Sequence, residues 1–572
     1  MTLMALSNDY SPKLMELLQV LYGEKSRRLY KSFDAFINIW KNKAKNYSPK
    51  GWVTENDVML ITYADSIKDE EEKPLVTLNK FLSTYADDVI TAVHILPMFP
   101  YTSDDGFSVV DYYKVDDKLG SWDDVRELSK KFDLMLDAVI NHVSKSSKWF
   151  QSFLKCKGKY KNYFIVADPN EDYSTVIRPR ALPLLTPFET AEGVKYLWTT
   201  FSDDQIDLNF SNPNVLLEVL NVILTYAYNG ARFIRLDAVG FVWKKLGTTC
   251  MHLKETHAVV KLIRLVLDEV FPGTMIITET NVPHKDNISY FGNGYDEAHL
   301  VYQFPLPPLV LFSFITGNAE KLSKWAKSLE STPLSEYTTY FNFLASHDGI
   351  GLRPVEGILS DDEVQMMVNT VINHGGKISY RFNSDGSQSP YELNITYMDA
   401  LTDPKSKNMQ ERVNKFIAAH AILLSLRGVP GIYIHSLLGS QNWYEGVIES
   451  GINRRINREK LNYKLVCREI EQSNTLRNLV FNELSKLIKI RRRHPAFSPN
   501  ASQKVVFLDG RIFSFIRYND RSNEKILVLV NVSSEKVSIP NDFRGIDIIS
   551  DEKIYNEFIE MLPYQARWIV IE

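Results

Sequence analysis

Three cysteines in 572 residues, Cys156, Cys250 and Cys467, are too few and too widely spaced for a disulfide framework. They also lack metal-ligand spacing, so small core or surface thiols in a reducing compartment are expected. Nowhere do about eighteen apolar residues run together, which leaves no candidate membrane span. The opening stretch MTLMALSNDYSPKLMELLQVLYG has no basic segment followed by a continuous apolar run. Neither a signal peptide nor a membrane anchor is expected, and the expected address is cytoplasmic. Charge of one sign is missing too: 66 Lys and Arg stand against 70 Asp and Glu, a formal net charge of -4. That is not the basic surplus of a nucleic-acid binder, although a local patch inside a balanced total stays open. Repeats and low-complexity linkers are absent, which excludes a solenoid. The 44% hydrophobic and 24% charged fractions exclude disorder, collagen and coiled coil.

What is present is length and alternation. A chain of this size exceeds one ordinary core, so one large domain with a deep site and smaller appendages is expected. From residue 10 to about 46, apolar positions such as Leu14, Leu17, Leu18 and Leu21 recur at helical spacing among lysines. Residues 1–55 therefore read as a helical N-terminal appendage. After Gly51, short apolar runs end in polar or acidic residues and are followed by amphipathic helices. The runs are Val58 to Tyr63, Ile90 to Leu96, Leu134 to Ile140, Ala231 to Leu236, Met275 to Thr278, Ala298 to Gln303, Thr338 to Leu344, and Gly431 to Ile434.

Eight near-continuous apolar strands separated by helices predict an α/β fold, a (β/α)8 TIM barrel over 56–498, because parallel strands are buried on both faces. A doubly wound sheet is the structural alternative. Two intervals are overlong, about 144–211 after the third strand and about 349–427 after the seventh, and such inserts commonly wall a site. Over 499–572 the helices give way to short alternating strands, Lys504 to Phe507, Ile512 to Arg517, Lys525 to Asn531 and Trp568 to Ile571, which predict an antiparallel β-domain. The Tyr518-Asn519-Asp520 segment predicts a hairpin between two of them.

Chemistry in a barrel sits just past the C-terminal strand ends. Polar residues gather there: Asp137, Asn141 and His142; Arg235 and Asp237; Glu279; and His347 with Asp348. Singly, each has a bland reading, an aspartate as helix cap and a histidine as a hydrogen-bonded structural residue. Their coincidence on four strand ends favours a site. Retaining glycoside cleavage needs one carboxylate to attack the anomeric carbon and a second carboxyl, about 5 to 5.5 Å away, to protonate the leaving oxygen. Asp237 and Glu279 can supply them. Arg235, two positions before Asp237 on a strand, points to the same side, where its charge should keep Asp237 ionised. Glu279 among apolar neighbours should hold its proton near neutral pH. No calcium-loop or zinc spacing occurs, so neither metal nor cofactor is expected.

The segments Asp137 to His142, Gly230 to Ala238, the strand carrying Glu279, and Ser346-His347-Asp348 resemble, in order, the four signature regions of the α-amylase superfamily. YADS at Tyr63, HILPMFP, DDGF, VDDKLGSWDDV, LDAVG, FPLPPL and SHDGIG are similar to the sucrose phosphorylase branch, from about residue 58 to 460. The resemblance implies Asp237 as nucleophile, Glu279 as acid/base and Asp348 as transition-state stabiliser. It also implies Asp104 and Arg458 at the far end of a glucosyl ring, with Arg454 as competing assignment. His142, Arg235 and His347 would contact other hydroxyls and Phe107 would form an apolar wall. Arg178 and Arg180 are candidates to clamp phosphate, against a reading as solvated surface arginines. The segment around Tyr391, Asn394 and Tyr397 resembles the loop by which the sucrose enzymes exchange acceptor for phosphate.

Where sucrose phosphorylases carry a histidine two residues after the acid/base, this chain has Asn281. That segment, with Ser289 to Gly294, Glu297 to His299 and Asp348 to Pro354, resembles the glucosylglycerate phosphorylases. The implied reaction is reversible, retaining phosphorolysis of 2-O-(α-D-glucosyl)-D-glycerate to α-D-glucose 1-phosphate and D-glycerate. Glycerate differs from fructose in carrying a carboxylate, so a cation is expected at the acceptor, with Arg353 first and Lys377 and Arg381 in reserve. Arg353 as a phosphate clamp or loop brace stays open. The alternatives are phosphorolysis of sucrose, sucrose 6-phosphate or glucosylglycerol, an α-glucosidase, or a noncatalytic sugar-binding protein. The expected partners are small molecules (glucoside, inorganic phosphate, glycerate) with neither nucleic acid nor membrane, for a monomer or homodimer.

Overall fold

Runs of Val, Ile, Leu and Phe buried on both faces set the architecture. In the computed structural model, which describes residues 10–179, 182–382 and 387–572, they form β1 (Met59–Thr62), β2 (Ala92–Ile95), β3 (Asp133–Ala138), β4 (Ala231–Leu236), β5 (Met275–Thr278), β6 (Leu300–Tyr302), β7 (Thr339–Phe343) and β8 (Val429–Tyr433). Their order, β1-β8-β7-β6-β5-β4-β3-β2, closes into a barrel of parallel strands, as the alternation predicts, and the open doubly wound sheet is excluded. Every residue of β4 and β5 is buried, which accounts for the absence of polar alternation in the sequence. The eighth strand starts two residues before the expected Gly431. Pro430, which reads as a strand breaker, pairs in register with Asn342.

The described chain divides into two compact units. One comprises the chain up to Trp52, His94–Thr280 and Lys285–Val301; the other comprises Val53–Val93, Asn281–His284 and Tyr302–Glu572. In the first, helices Tyr10–Tyr22 and Ser26–Lys43 bury Leu14, Leu18 and Leu21, and Phe33, Ile37 and Trp40, at helical spacing. They lie against helices Pro213–Tyr228 and Lys254–Val270. Trp40 Nε1 donates to Asn221 Oδ1 at 3.1 Å and Lys41 pairs with Glu269 at 2.5 Å. Gly23, at φ 56°, makes the turn between them. The interval after β3 holds an antiparallel pair, Leu185–Thr190 with Gly193–Trp198, and a second pair, His142–Ser144 with Gln205–Asp207.

In the second unit, the interval after β7 holds a three-stranded sheet of Ile350–Gly351, Gln388–Asn394 and Lys377–Phe382, helix Asp361–Asn373, and the long buried helix Met409–Ser425 that leads to β8. The last part of the chain folds as a six-stranded antiparallel sheet, with Ile512–Asn519 and Glu524–Asn531 joined as the expected hairpin. Four further strands, Val537–Pro540, Gly545–Asp547, Glu552–Ile554 and Phe558–Met561, were not expected, being only three or four residues long. Arg517 of this sheet is fully buried and donates to the carbonyls of Ser425 and Ser498, both at 2.6 Å. Burial disfavours its charge, so those carbonyls supply its compensation. All three cysteines are free thiols, and no described helix is long and apolar enough to cross a membrane.

Candidate active site

Strand geometry brings the first group of site residues together. Residues two apart on β4 share a face, and Arg235 Nη1 reaches Asp237 Oδ1 at 2.8 Å, just past the strand end. The same nitrogen reaches Asp137 Oδ1 at 2.5 Å from the paired strand β3, where Asp137 stands in register with Arg235. Arg235 Nη2 lies 3.9 Å from Glu279 Oε2, past the end of β5. One guanidinium thus serves three carboxylates. After Asp237 the chain turns through Ala238 at φ 47°, a left-handed conformation unusual for alanine, and the Ala238 N–H donates to Glu279 Oε2 at 3.3 Å.

The charge balance differs from the sequence expectation. Arg235 does pull the Asp237 carboxyl pKa downward. Desolvation is the larger effect, Glu279 and Asp137 also push upward, and the net shift is up. Glu279 keeps 17% of its side chain exposed, against 4% for Arg235. Asp137 is buried and accepts from His94 Nε2 at 2.7 Å; desolvation holds His94 neutral, below its ordinary range. His94 was legible only as a letter of the HILPMFP motif.

Around this centre, His142 is buried, with Nε2 donating to the Phe107 carbonyl at 2.9 Å. The Phe107 ring centroid lies 5.7 Å from the Arg235 guanidinium carbon, and Gln205 Nε2 donates to Asp104 Oδ2 at 3.3 Å. Asn141 belongs to an adjoining buried cluster, its Nδ2 3.3 Å from His142 Nδ1 and donating to Asp207 Oδ2 at 3.1 Å. Lys244 Nζ, deep in the protein, pairs with Asp207 at 2.5 Å and donates to Asn141 Oδ1 at 2.8 Å and to the Phe241 carbonyl. An ammonium ringed by three oxygens here ties strand Gln205–Asp207 to the segments after β3 and β4. Lys244 offered no sequence signal, since a lysine after a strand normally reads as a solvated charge. Among the described residues no group of three His, Cys, Asp or Glu could hold a metal ion.

The second group follows β7. Asp348 Oδ1 pairs with Arg454 Nη1 at 2.7 Å, and Arg458 Nη2 stands off at 3.7 Å. Arg454 is gripped from its other side by Glu392, Nε to Oε2 at 3.0 Å and Nη2 to Oε1 at 2.8 Å. Glu392 is a functional candidate that the sequence reading passed over, because a glutamate beside Tyr391 reads as a solvated strand residue. Arg458 is buried, donates from Nε to the His347 carbonyl at 2.6 Å, and lies over Tyr63. His347 Nε2 lies 3.5 Å from Asp348 Oδ2. Asn457 Nδ2 donates to the carbonyls of Ser346 and Asp348, at 3.2 and 3.1 Å, fixing that loop.

Asn281 packs so close to Gly351 that a Cβ there would meet Asn281 Nδ2 at 3.2 Å. Among the described residues Asn281 Oδ1 is buried without a hydrogen-bond partner, and no side chain pairs with the half-buried Arg353. Of the reserve cations, Arg381 is tied to Glu356 at 2.8 Å and Lys377 is exposed. Tyr391 is half-buried, whereas Asn394 and Tyr397 are buried; Tyr397 donates to the Pro307 carbonyl at 2.9 Å. Arg178 is exposed and donates to the Leu182 carbonyl. Arg180 lies outside the described residues.

Residues 85–357 match the family model of the alpha amylase catalytic domain. The chain is 49% identical over 523 residues to a glucosylglycerate phosphorylase of Escherichia coli (strain K12), covering 91% of this chain and 92% of the relative. It is 46% identical over 567 residues to a glucosylglycerate phosphorylase of Allomeiothermus silvanus, covering 99% and 100%. The crystal structure of a sucrose 6F-phosphate phosphorylase from Thermoanaerobacter thermosaccharolyticum superposes with a TM-score of 0.72 at 27% identity, covering 89% of this chain and 98% of that one.

Proposed function

Since the chain belongs to the alpha-amylase family and, within it, to the glucosylglycerate phosphorylases, we propose that it catalyses the reversible phosphorolysis of 2-O-(α-D-glucosyl)-D-glycerate with retention. Asp237 attacks the anomeric carbon while Glu279 gives its proton to the bridging oxygen; that carbon–oxygen bond breaks and D-glycerate leaves. Inorganic phosphate then attacks the same carbon, Glu279 takes back a proton, and Asp237 is released. Two inversions give α-D-glucose 1-phosphate, so the enzyme transfers a glucosyl group to phosphate rather than to water.

The observation that carries the assignment is the asymmetry of Arg235, 2.8 Å from Asp237 and 3.9 Å from Glu279. Two carboxyls this close to one cation titrate as a pair. Desolvation and the neighbouring carboxyls raise Asp237 above its ordinary range, so the pair shares a proton, and the contact with Arg235 favours Glu279 as its holder and Asp237 as the carrier of the remaining charge. Asp348, held by Arg454, stabilises the positive charge that develops on the sugar. Asp104, Phe107, His142, His347 and Arg458 bind the glucosyl ring. Asn281 Oδ1 accepts a glycerate hydroxyl, Arg353 binds its carboxylate, and Arg178 and Arg180 attract phosphate.

Two variants test the roles on two donors. Asp237→Asn should abolish turnover of both glucosylglycerate and α-glucosyl fluoride. Glu279→Gln should lose about 10²- to 10⁴-fold on glucosylglycerate and far less on fluoride, whose leaving group needs no proton. Equal losses on both donors in Glu279→Gln would overturn the assignment.

A further inference from the structure

The 100–110 segment is a pinched loop. Tyr101 and Val109 form a bridge, and the Thr102 N–H donates to the Ser108 carbonyl at 3.1 Å. Beyond that neck, Asp104 and Asp105 both take positive φ, 55° and 48°, and Gly106 follows at 112°. Consecutive left-handed non-glycine residues persist only where the surroundings hold them. Gly106 has no freedom to grow, since a Cβ would meet the Pro97 carbonyl oxygen at 2.8 Å.

What holds the neck is one carboxylate from another element. Asp204, buried in the turn before strand Gln205–Asp207, accepts at Oδ2 from Thr102 Oγ1 at 2.5 Å, Ser103 Oγ at 2.5 Å and Ser108 Oγ at 2.8 Å. Ser144 Oγ lies 3.4 Å from Oδ1 and 2.6 Å from Thr102 Oγ1. A carboxylate offers only acceptors and hydroxyls can donate, so the cluster is self-consistent, and the neighbouring Gln205 reaches both Asp104 and the Phe107 carbonyl.

We infer that Asp204 is a positioning residue. Its carboxylate clamps the neck of the 102–108 loop and thereby holds Asp104 and Phe107 where they receive the glucosyl ring. The inference rests on the proposed glucosyl-binding role of Asp104 and Phe107, and Asp204 itself touches no substrate. Its effect should therefore fall on donor binding rather than on the chemical step.

The test measures kcat and KM on glucosylglycerate and on α-glucosyl fluoride for Asp104→Ala, Asp204→Ala, Asp204→Asn, Ser103→Ala and the Asp104→Ala/Asp204→Ala pair. Asp204→Ala should raise KM for both donors about tenfold or more with kcat within about threefold. Asp204→Asn, which keeps one acceptor oxygen, should recover part of the loss, and Ser103→Ala should raise KM about threefold. The pair should resemble Asp104→Ala alone, since two changes acting through one side chain do not add. An unchanged KM in Asp204→Ala, or a pair in which the losses multiply, overturns the inference while Asp104→Ala still shows its own defect. If Asp104→Ala leaves KM unaltered, the glucosyl-binding reading itself is wrong. Should Asp204→Ala fail to fold, Asp204→Asn and Ser103→Ala, read the same way, decide the matter.

Discussion

Arg235 Nη1 sits 2.8 Å from Asp237 and 2.5 Å from Asp137, so one buried nitrogen and its single positive charge are shared between two carboxylates. The cost of burying Asp237 nevertheless exceeds what Arg235 returns, because its carboxyl is pushed above the ordinary range. In that case the folded state binds a proton more tightly than the unfolded one. Stability then falls as pH rises from the unfolded carboxylate value toward the folded one. Asp237→Asn removes the penalty and leaves Arg235 paired with Asp137. The variant should melt higher than the parent at neutral pH, by on the order of 2 °C, with the difference vanishing near pH 4. Thermal melts across pH check it.

The Lys244 cluster sets a second expectation. An ammonium paired with Asp207 and bonded to Asn141 needs no divalent ion, so chelator should leave both activity and melting temperature unchanged. Activity that disappears with chelator and returns with calcium contradicts this. Lys244→Met strands a buried carboxylate and should destabilise by about 3 to 5 kcal/mol. Replacing both Lys244 and Asp207 by apolar residues should recover much of that, as read by denaturant unfolding.

Barrel strands and most strand-end residues could be read in advance because burial on both faces leaves an unbroken apolar signature, and because position on a strand fixes which side a residue faces. Arg235 and Asp237 follow from that rule alone. Contacts made across loops could not be read. Glu392, Asp204 and Lys244 look like solvated charges until the fold brings Arg454, the Thr102, Ser103 and Ser108 hydroxyls, and Asp207 to them. Arg381, which reads in the sequence as a spare cation, is engaged by Glu356 in the fold. The net upward shift of Asp237 is not legible in the sequence, which shows the arginine but not the depth of burial.

Arg454 and Arg458 are separable by experiment. Arg454 touches the Asp348 carboxylate and is itself half-exposed, whereas Arg458 is buried against the His347 carbonyl. Arg454→Ala should lower kcat on both donors with little change in melting temperature. Glu392→Gln, which weakens the grip on Arg454, should lower kcat about tenfold, equivalent to about 1.4 kcal/mol. Arg458→Ala should lose stability as well as activity.

The proposed function gives Arg353 the carboxylate of the acceptor. In the synthetic direction, Arg353→Ala should weaken glycerate about ten- to a hundredfold relative to glycerol, since a charge-assisted pair contributes roughly 1.5 to 3 kcal/mol. Equal losses with both acceptors contradict the assignment. A uniform loss of phosphorolysis on every donor points instead to phosphate.

The most direct test of the proposed reaction follows the anomeric proton by NMR while the protein acts on 2-O-(α-D-glucosyl)-D-glycerate with and without inorganic phosphate. The predicted result is α-D-glucose 1-phosphate and D-glycerate in equal amounts with phosphate, and no sustained release of glucose without it. Free glucose appearing at the same rate in both samples, or a β-configured phosphate ester, would contradict the account.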